Sequence, residues 1–382
     1  MQYSRLKAAG AVAIALGPLA FGVHMAAQSG ANIPLSDRLV GGRSFEQPQP
    51  SAYPIEVPAD LGVEVLPLLG NVYMVAGGPT NVVIQTGNDG VMVVDPGPAS
   101  MGEKVVRVAG ILSKKQINYV VNTTSEKDVF GANGIVSKAG QNPTVAPPNV
   151  AGPQGRQPDQ FGILQAPGAG GGGGQPQRQQ SAIILAHENL LNRMAAPTGS
   201  TPAEDGDLWP TNTFFTARKA MWFNDEAVEF IHEPAARTDG DIMVWFRHND
   251  VIAAGPIVDA MAYPMFDAKR GGSIKGLLKG MNDIIDIAVP KFNQQGGTRI
   301  APLHGRILNE ADVVEYRDMN TIIRDRIQLG IDKGLTLAQI KAQGPTAEYD
   351  PLYSTPKWTG EMYIEAIYND LKSAPAGKTS SR

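Results

Sequence analysis

The chain has 382 residues, 42% of them hydrophobic, with 33 Lys and Arg against 37 Asp and Glu and a formal net charge of -4. At roughly 100–200 residues per domain it can form two folded units or one large one, and it is too apolar to be wholly disordered. The acidity argues against a nucleic-acid partner, which calls for a basic face. The absence of cysteine excludes disulfides, thiolate catalysis, cysteine-bound zinc and iron–sulfur clusters.

Arg5 and Lys7 precede an apolar run from Ala8 to Phe21, and small residues then give way to polar ones around Gln28. Residues 1–28 therefore read as a secretory signal peptide. An uncleaved anchor is the other reading, since the apolar run to Ala27 nearly reaches spanning length. Either way the body of the chain is expected outside the cytoplasm, periplasmic or secreted. No later stretch is long and apolar enough to span a membrane.

Residues 29–60 are rich in Pro, Gln, Ser and Gly and lack periodicity, which suggests an extended leader. A folded domain is expected over 61–372. It opens with short β-branched runs, Val63–Leu66, Val72–Val75, Asn81–Gln85 and Val91–Val94, separated by Gly and Asn turns. Ser100 can cap a helix through Leu112, Ile117–Val121 reads as a buried strand, and Ala132–Ala139 as a helix. Residues 149–181 hold five consecutive glycines, Gly170–Gly174, among Pro, Gln and Arg. Such a segment buries too little apolar surface to offset its ordering entropy, so it reads as a flexible insertion within the domain. Ile183–Leu185 resumes a strand, and a helix is expected from His187 to Met194.

A second β-rich stretch follows at Ala220–Phe223, Ala227–His232, Ile242–Phe246 and Val251–Ala254. Ile274–Ala288 has helical periodicity, Arg299–Pro302 is a strand, and Glu310–Leu329 is a helix capped by Asn309 with Asp312 at its third position. Helices at Leu337–Ala342, capped by Thr336, and at Tyr363–Leu371 precede a tail at 373–382. The pattern predicts an α/β (α+β) fold. Two similar halves, each a mainly antiparallel sheet covered by helices, would stack as a four-layer αββα sandwich.

The ordered segments resemble the metallo-β-lactamase fold hydrolases. Leu69–Tyr73 resembles that group's opening hairpin, and Gly90–Gly97 its strand ending in an Asp and Gly turn. Val121–Thr123 and Gly131–Asn133 frame the place of its H-x-H-x-D-H metal motif. Ala186–Asn189, Thr238–Asp241, Ala254–Gly255, Gly271–Ser273 and Leu303–Gly305 follow in the group's order. The resemblance covers Val63 to Leu371. It implies a metal-dependent hydrolase ancestry and a dinuclear zinc site at the strand ends.

Carried over position by position, the implied ligands are mostly replaced. Thr124 stands at the first His, Glu126 at the second, Val129 at the third and Arg237 at the fourth. Pro256 replaces the bridging Asp. Asp128 and His304 alone are kept. Zinc needs several imidazole or anionic donors around an open position, and only then makes hydroxide from bound water. Val129 and Pro256 have no lone pair to offer, and Arg237 brings a fixed positive charge. Arg237, with Lys127, is expected to stand in for the cation by pairing with Glu126 and Asp128.

Zinc or another divalent cation remains a candidate cofactor, and the replaced ligands argue against a dinuclear zinc centre. Asp128 and His304 are the candidate catalytic residues. Glu126, Asp128 and His304 are the ligands of any residual mononuclear site that would act on an ester or amide through an activated water. The other readings are a pseudoenzyme that binds a small molecule in the old cleft, and an interaction protein using its insertion as a tether or lid over the cleft mouth. His187 is expected at a helix start or in packing, His232 and His248 in structural or solvent roles, and Asp95, Asp239 and Asp241 as loop braces. No elbow of the G-x-S-x-G type surrounds Ser125.

Overall fold

A computed structural model describes residues 55–143, 180–195, 203–290 and 297–373, and assigns strands at 39–40, 43–44 and 164–165. The signal peptide, most of the leader, most of the insertion and nearly all of the tail lie outside the described residues. The chain divides into units at 1–47 and 48–382. In the first, β1 (Leu39–Val40) pairs with β2 (Arg43–Ser44) in antiparallel register.

In the second unit the first sheet contains β3 (Glu64–Pro67), β4 (Val72–Ala76), β5 (Val82–Thr86), β6 (Val91–Val94), β7 (Ile117–Val121), β8 (Leu164–Gln165), β9 (Ile183–His187) and β10 (Asn212–Phe214). Their spatial order is β3-β4-β5-β6-β7-β9-β10-β8. The pairs from β3 to β6 are antiparallel, whereas β6-β7, β7-β9 and β9-β10 are parallel. The second sheet runs β11 (Arg218–Phe223), β12 (Glu226–Glu233), β13 (Asp241–Phe246), β14 (Val251–Gly255) and β15 (Arg299–Pro302). It is antiparallel except for β14 against β15.

Side chains alternate across a strand, so each strand feeds two layers. Val82, Ile84, Val91, Val93, Ile117 and Val120 face outward onto Val105, Val108, Ala109 and Val136. These last belong to α1 (Gly102–Leu112) and to α3 (Asn133–Lys138), which follows the four-residue α2 (Lys127–Phe130). Their neighbours Val83, Met92, Val94, Val121 and Leu185 point inward onto Val228, Phe230, Ile242, Val244, Phe246 and Val251 of the second sheet. On the far face Ile231, Met243, Ile252 and Ile300 meet a third core. Beyond α4 (Glu188–Ala195), that core is built from α5 (Ile274–Ile287), α6 (Glu310–Asp332), α7 (Leu337–Ala342) and α9 (Gly360–Ser373), with α8 (Asp350–Tyr353) between the last two. The result is the expected α/β/β/α stack. Both faces of both sheets are covered, which is why Val91–Val94 is a continuous apolar run rather than an alternating one.

Several local expectations change. α1 starts at Gly102 behind a 3₁₀ turn at Ala99–Met101, and Ser100 is not its cap. His187 ends β9 instead of starting a helix, because its backbone is held in parallel register against Phe214 of β10. The first half keeps four antiparallel pairs, but three parallel ones lie at its centre, where helical crossovers join the strands. β10, α2 and α8 were not foreseen, and β8 lies within the segment read as a wholly flexible insertion. The cap of α6 is as predicted, with Asn309 and Asp312 forming a reciprocal capping box. Among the described residues no helix is long and apolar enough to cross a membrane.

Candidate functional site

The residues that the resemblance singles out gather where β6, β7, β14 and β15 end. Asp95, just past β6, has a positive φ of 56°. Its amide donates to Val121 O at 2.8 Å, and its carboxylate accepts from Thr123 N at 2.8 Å and Thr123 Oγ1 at 2.6 Å. Thr123 in turn touches the end of β14: a Cβ on Gly255 would lie 2.5 Å from Thr123 Oγ1. Leu303, just past β15, donates its amide to Gly255 O at 3.1 Å. These contacts bring Thr123–Thr124, Gly255–Pro256 and Leu303–His304 to one place.

Thr124, where the resemblance implies the first histidine, is fully buried and donates its hydroxyl to Asp241 Oδ1 at 2.6 Å. Asp241 also accepts from Thr238 N at 2.6 Å and Thr238 Oγ1 at 2.8 Å. Burial raises the Asp95 carboxyl to about 7 and the Asp241 carboxyl to about 6, against hydrogen bonds that pull both down. Desolvation wins because the donors are neutral hydroxyls and amides, which solvate a carboxylate less well than water does.

Glu126 stands at the place of the second histidine, and its Oε1 lies 3.5 Å from Arg237 Nε and 3.5 Å from Arg270 Nη1. Arg237 is well covered, with its side chain 19% exposed. The expected pairing of Arg237 with Glu126 is present. Asp128, by contrast, is exposed on α2 and is not part of that pair. Lys127 turns away to Glu204 at 3.1 Å, so it does not stand in for a cation here. Val129 is fully buried in the apolar interior, and Pro256 is buried in the turn after Gly255. Among the described residues no three His, Asp or Glu side chains form a group that could hold a metal, so Glu126, Asp128 and His304 are not assembled as a ligand set.

His304 donates through Nδ1 to Asp259 Oδ2 at 2.8 Å. Asp259 and Arg270 escaped the sequence reading. They lie in the long connection from β14 to α5, and nothing in their local pattern marks residues whose partners are His304, 45 positions from Asp259, and Glu126, far back in the chain from Arg270. Asp259 lies three residues past Pro256, so a search for a carboxylate near the lost bridging position was the available signal.

A second cluster lies beside the cleft. The His187 and His232 rings stack with centroids 3.5 Å apart, and Phe214 meets His187 edge-on. His232 Nε2 donates to Asp239 O at 2.8 Å, and the Asp239 carboxylate binds Arg193 at 2.7 Å. Burial, reinforced by the neighbouring His232, lowers His187 to about 4, and burial lowers His232 as well. The two rings pack on each other, and burial disfavours the charged form of both. His248 is exposed in the turn between β13 and β14.

No protein-family model and no curated protein matches the chain. A double mutant of the sec-alkyl sulfatase PisA1 aligns with 82% of this chain at 16% identity and a TM-score of 0.51, and the chain spans about half, 51%, of that protein's length. The B3 metallo-β-lactamase BLEG-1 aligns with 64% of this chain and 96% of its own at 15% identity and TM-score 0.44. A metallo-β-lactamase from Pontibacter korlensis aligns with 68% and 99% at 13% identity and TM-score 0.46. The last two scores carry no weight alone; the layer order, the strand topology and the alkyl sulfatase likeness do. The chain has the αββα fold of the metallo-β-lactamases, as a divergent member of that fold.

Proposed function

We propose that this chain is an exported, hydrolase-like protein of the metallo-β-lactamase fold whose cleft works on a small molecule without a dinuclear zinc centre. The observation that carries this is the fate of Glu126: the carboxylate best placed to replace a lost histidine is engaged by two guanidinium groups, Arg237 and Arg270. A dication would have to displace or repel both. The donor set does not fit zinc on other grounds. The Thr124 hydroxyl is committed to Asp241, and Val129 and Pro256 have no side-chain donor. No step is therefore routed through a metal. Export rests on Arg5, Lys7 and the apolar run to Phe21, and the absence of cysteine suits an oxidising compartment.

The rival reading, a mononuclear site of Glu126, Asp128 and His304, requires these side chains to converge. Instead Glu126 faces arginines, His304 faces Asp259 and Asp128 is exposed.

The test uses native protein recovered from the periplasm or medium, whose N-terminus then begins near residue 28. Elemental analysis should find far less than stoichiometric zinc, and Zn²⁺, Mn²⁺ or EDTA should leave the melting temperature unchanged. A metal that binds only the folded state adds about 2.7 kcal/mol at a hundred times its dissociation constant, a readily measured shift. Stoichiometric zinc, or a melting temperature that falls with EDTA and returns with zinc, sinks the reading.

A further inference from the structure

We propose that His304 and Asp259 form a metal-free general-base dyad that hydrolyses esters bearing an apolar acyl group. This rests on the metal-free reading of the cleft given above.

The dyad is held at every point that fixes a ring. Asn81 N donates to Leu303 O at 2.8 Å, and Asn81 Nδ2 donates to Pro302 O at 3.0 Å and Gly305 O at 2.9 Å. Ala260 N donates to His304 O at 3.3 Å. The backbone before and after the imidazole is thus pinned to two other segments. The Asp259 carboxylate is pinned as well: Oδ2 receives His304 Nδ1 at 2.8 Å, and Oδ1 receives Met261 N at 2.8 Å. A carboxylate only accepts, so the shared proton sits on Nδ1, and it is in the neutral ring that the lone pair falls on Nε2. The His304 side chain is 35% exposed, open to water and to a bound molecule. An imidazole oriented through Nδ1 and partly open to solvent can act as a general base toward a water that reaches Nε2.

The substrate class comes from the loop that supplies Asp259. Met261 is 60% exposed and packs beside Gly305, where an added Cβ would come within 2.9 Å of its Cγ. Met265 of the same loop is also exposed. Exposed methionines next to a polar reactive group make an adaptable apolar wall, suited to an alkyl or aryl chain rather than to a charged one.

The step balances without a cofactor. His304 Nε2 takes a proton from water as the water oxygen bonds to the ester carbonyl carbon. The carbonyl π electrons move to its oxygen. Collapse of that adduct breaks the carbon–oxygen bond to the alcohol, which leaves with the proton from His304. Ester and water give acid and alcohol, and the imidazole is regenerated neutral.

The experiment measures p-nitrophenyl butyrate hydrolysis by the full, EDTA-treated protein. The wild type should turn over above the buffer blank and prefer butyrate to acetate in kcat/KM. His304→Gln should lower kcat by about 100-fold or more, the ordinary range for losing a general base. It should also abolish the solvent deuterium isotope effect. Asp259 is a positioning residue, so Asp259→Asn should lower kcat by roughly tenfold or more with KM little changed. Circular dichroism and melting establish that each variant is folded; if His304→Gln does not fold, Asp259→Asn and the isotope effect decide. Hydrolysis no faster than the blank, or unaltered by either substitution in EDTA, overturns the dyad and leaves the metal-free reading standing. Hydrolysis that EDTA abolishes and zinc restores overturns both.

Discussion

Asp95 and Asp241 are buried, and the hydrogen bonds to their carboxylates come from neutral donors. A carboxyl whose folded value is raised binds its proton more tightly when folded than when unfolded. The stability it contributes is therefore fully present below the unfolded value of about 4 and is lost as pH rises through the folded value. For Asp95, raised to about 7 by burial, that window runs from about pH 4 to pH 7. Asn tolerates the positive φ found here and can still accept from Thr123 N. Asp95→Asn should thus reduce the fall in melting temperature between pH 4 and pH 7. Equal slopes in wild type and variant would show that Asp95 does not titrate there. The brace role of Asp95 and Asp241 was what the resemblance implied for them. Their protonation was not, because it depends on burial from four layers that no local segment contains.

At the scale of elements, the end of β14 is a tight joint in the site. Gly255 has a φ of +54°, and any Cβ there would overlap Thr123 Oγ1 and Cβ. An L-residue in that left-handed region costs about 1–2 kcal/mol before the overlap is counted. Gly255→Ala should destabilise by more than that and should disturb the Thr123–Asp95 bond. Chemical denaturation measures the first, and the pH dependence described above reports the second. A variant as stable as wild type would mean that Thr123 can move aside freely. Capping chemistry made α6 and α7 readable, since Asn309 with Asp312 and Thr336 with Gln339 satisfy amides a few residues away. β10 carried no such signal. Its three residues are a strand because β9 offers a parallel edge beside them. His187 was misread for the same reason: its strand ending is set by β10, which lies 25 residues further on.

For the whole molecule, the core between the two sheets joins its halves. Phe230 is fully buried there, its ring 6.1 Å from that of Phe214 of the other sheet and tilted by 45°. Phe230→Ala should cost about 3–5 kcal/mol, read as a lower urea midpoint with an unchanged slope. A loss below about 1 kcal/mol would show that the inter-sheet core closes around the cavity. The sequence by itself determined the fold class and most strands and helices, because period-two and period-3.6 burial, turns and caps are all written within a few residues. It also determined which donors a metal would lack, since side-chain chemistry needs no coordinates. Only the tertiary structure decided that Arg270 joins Arg237 at Glu126, that Lys127 turns away and that His304 meets Asp259. Those pairings join residues many positions apart, and their partners are chosen by the packing of layers rather than by any local preference.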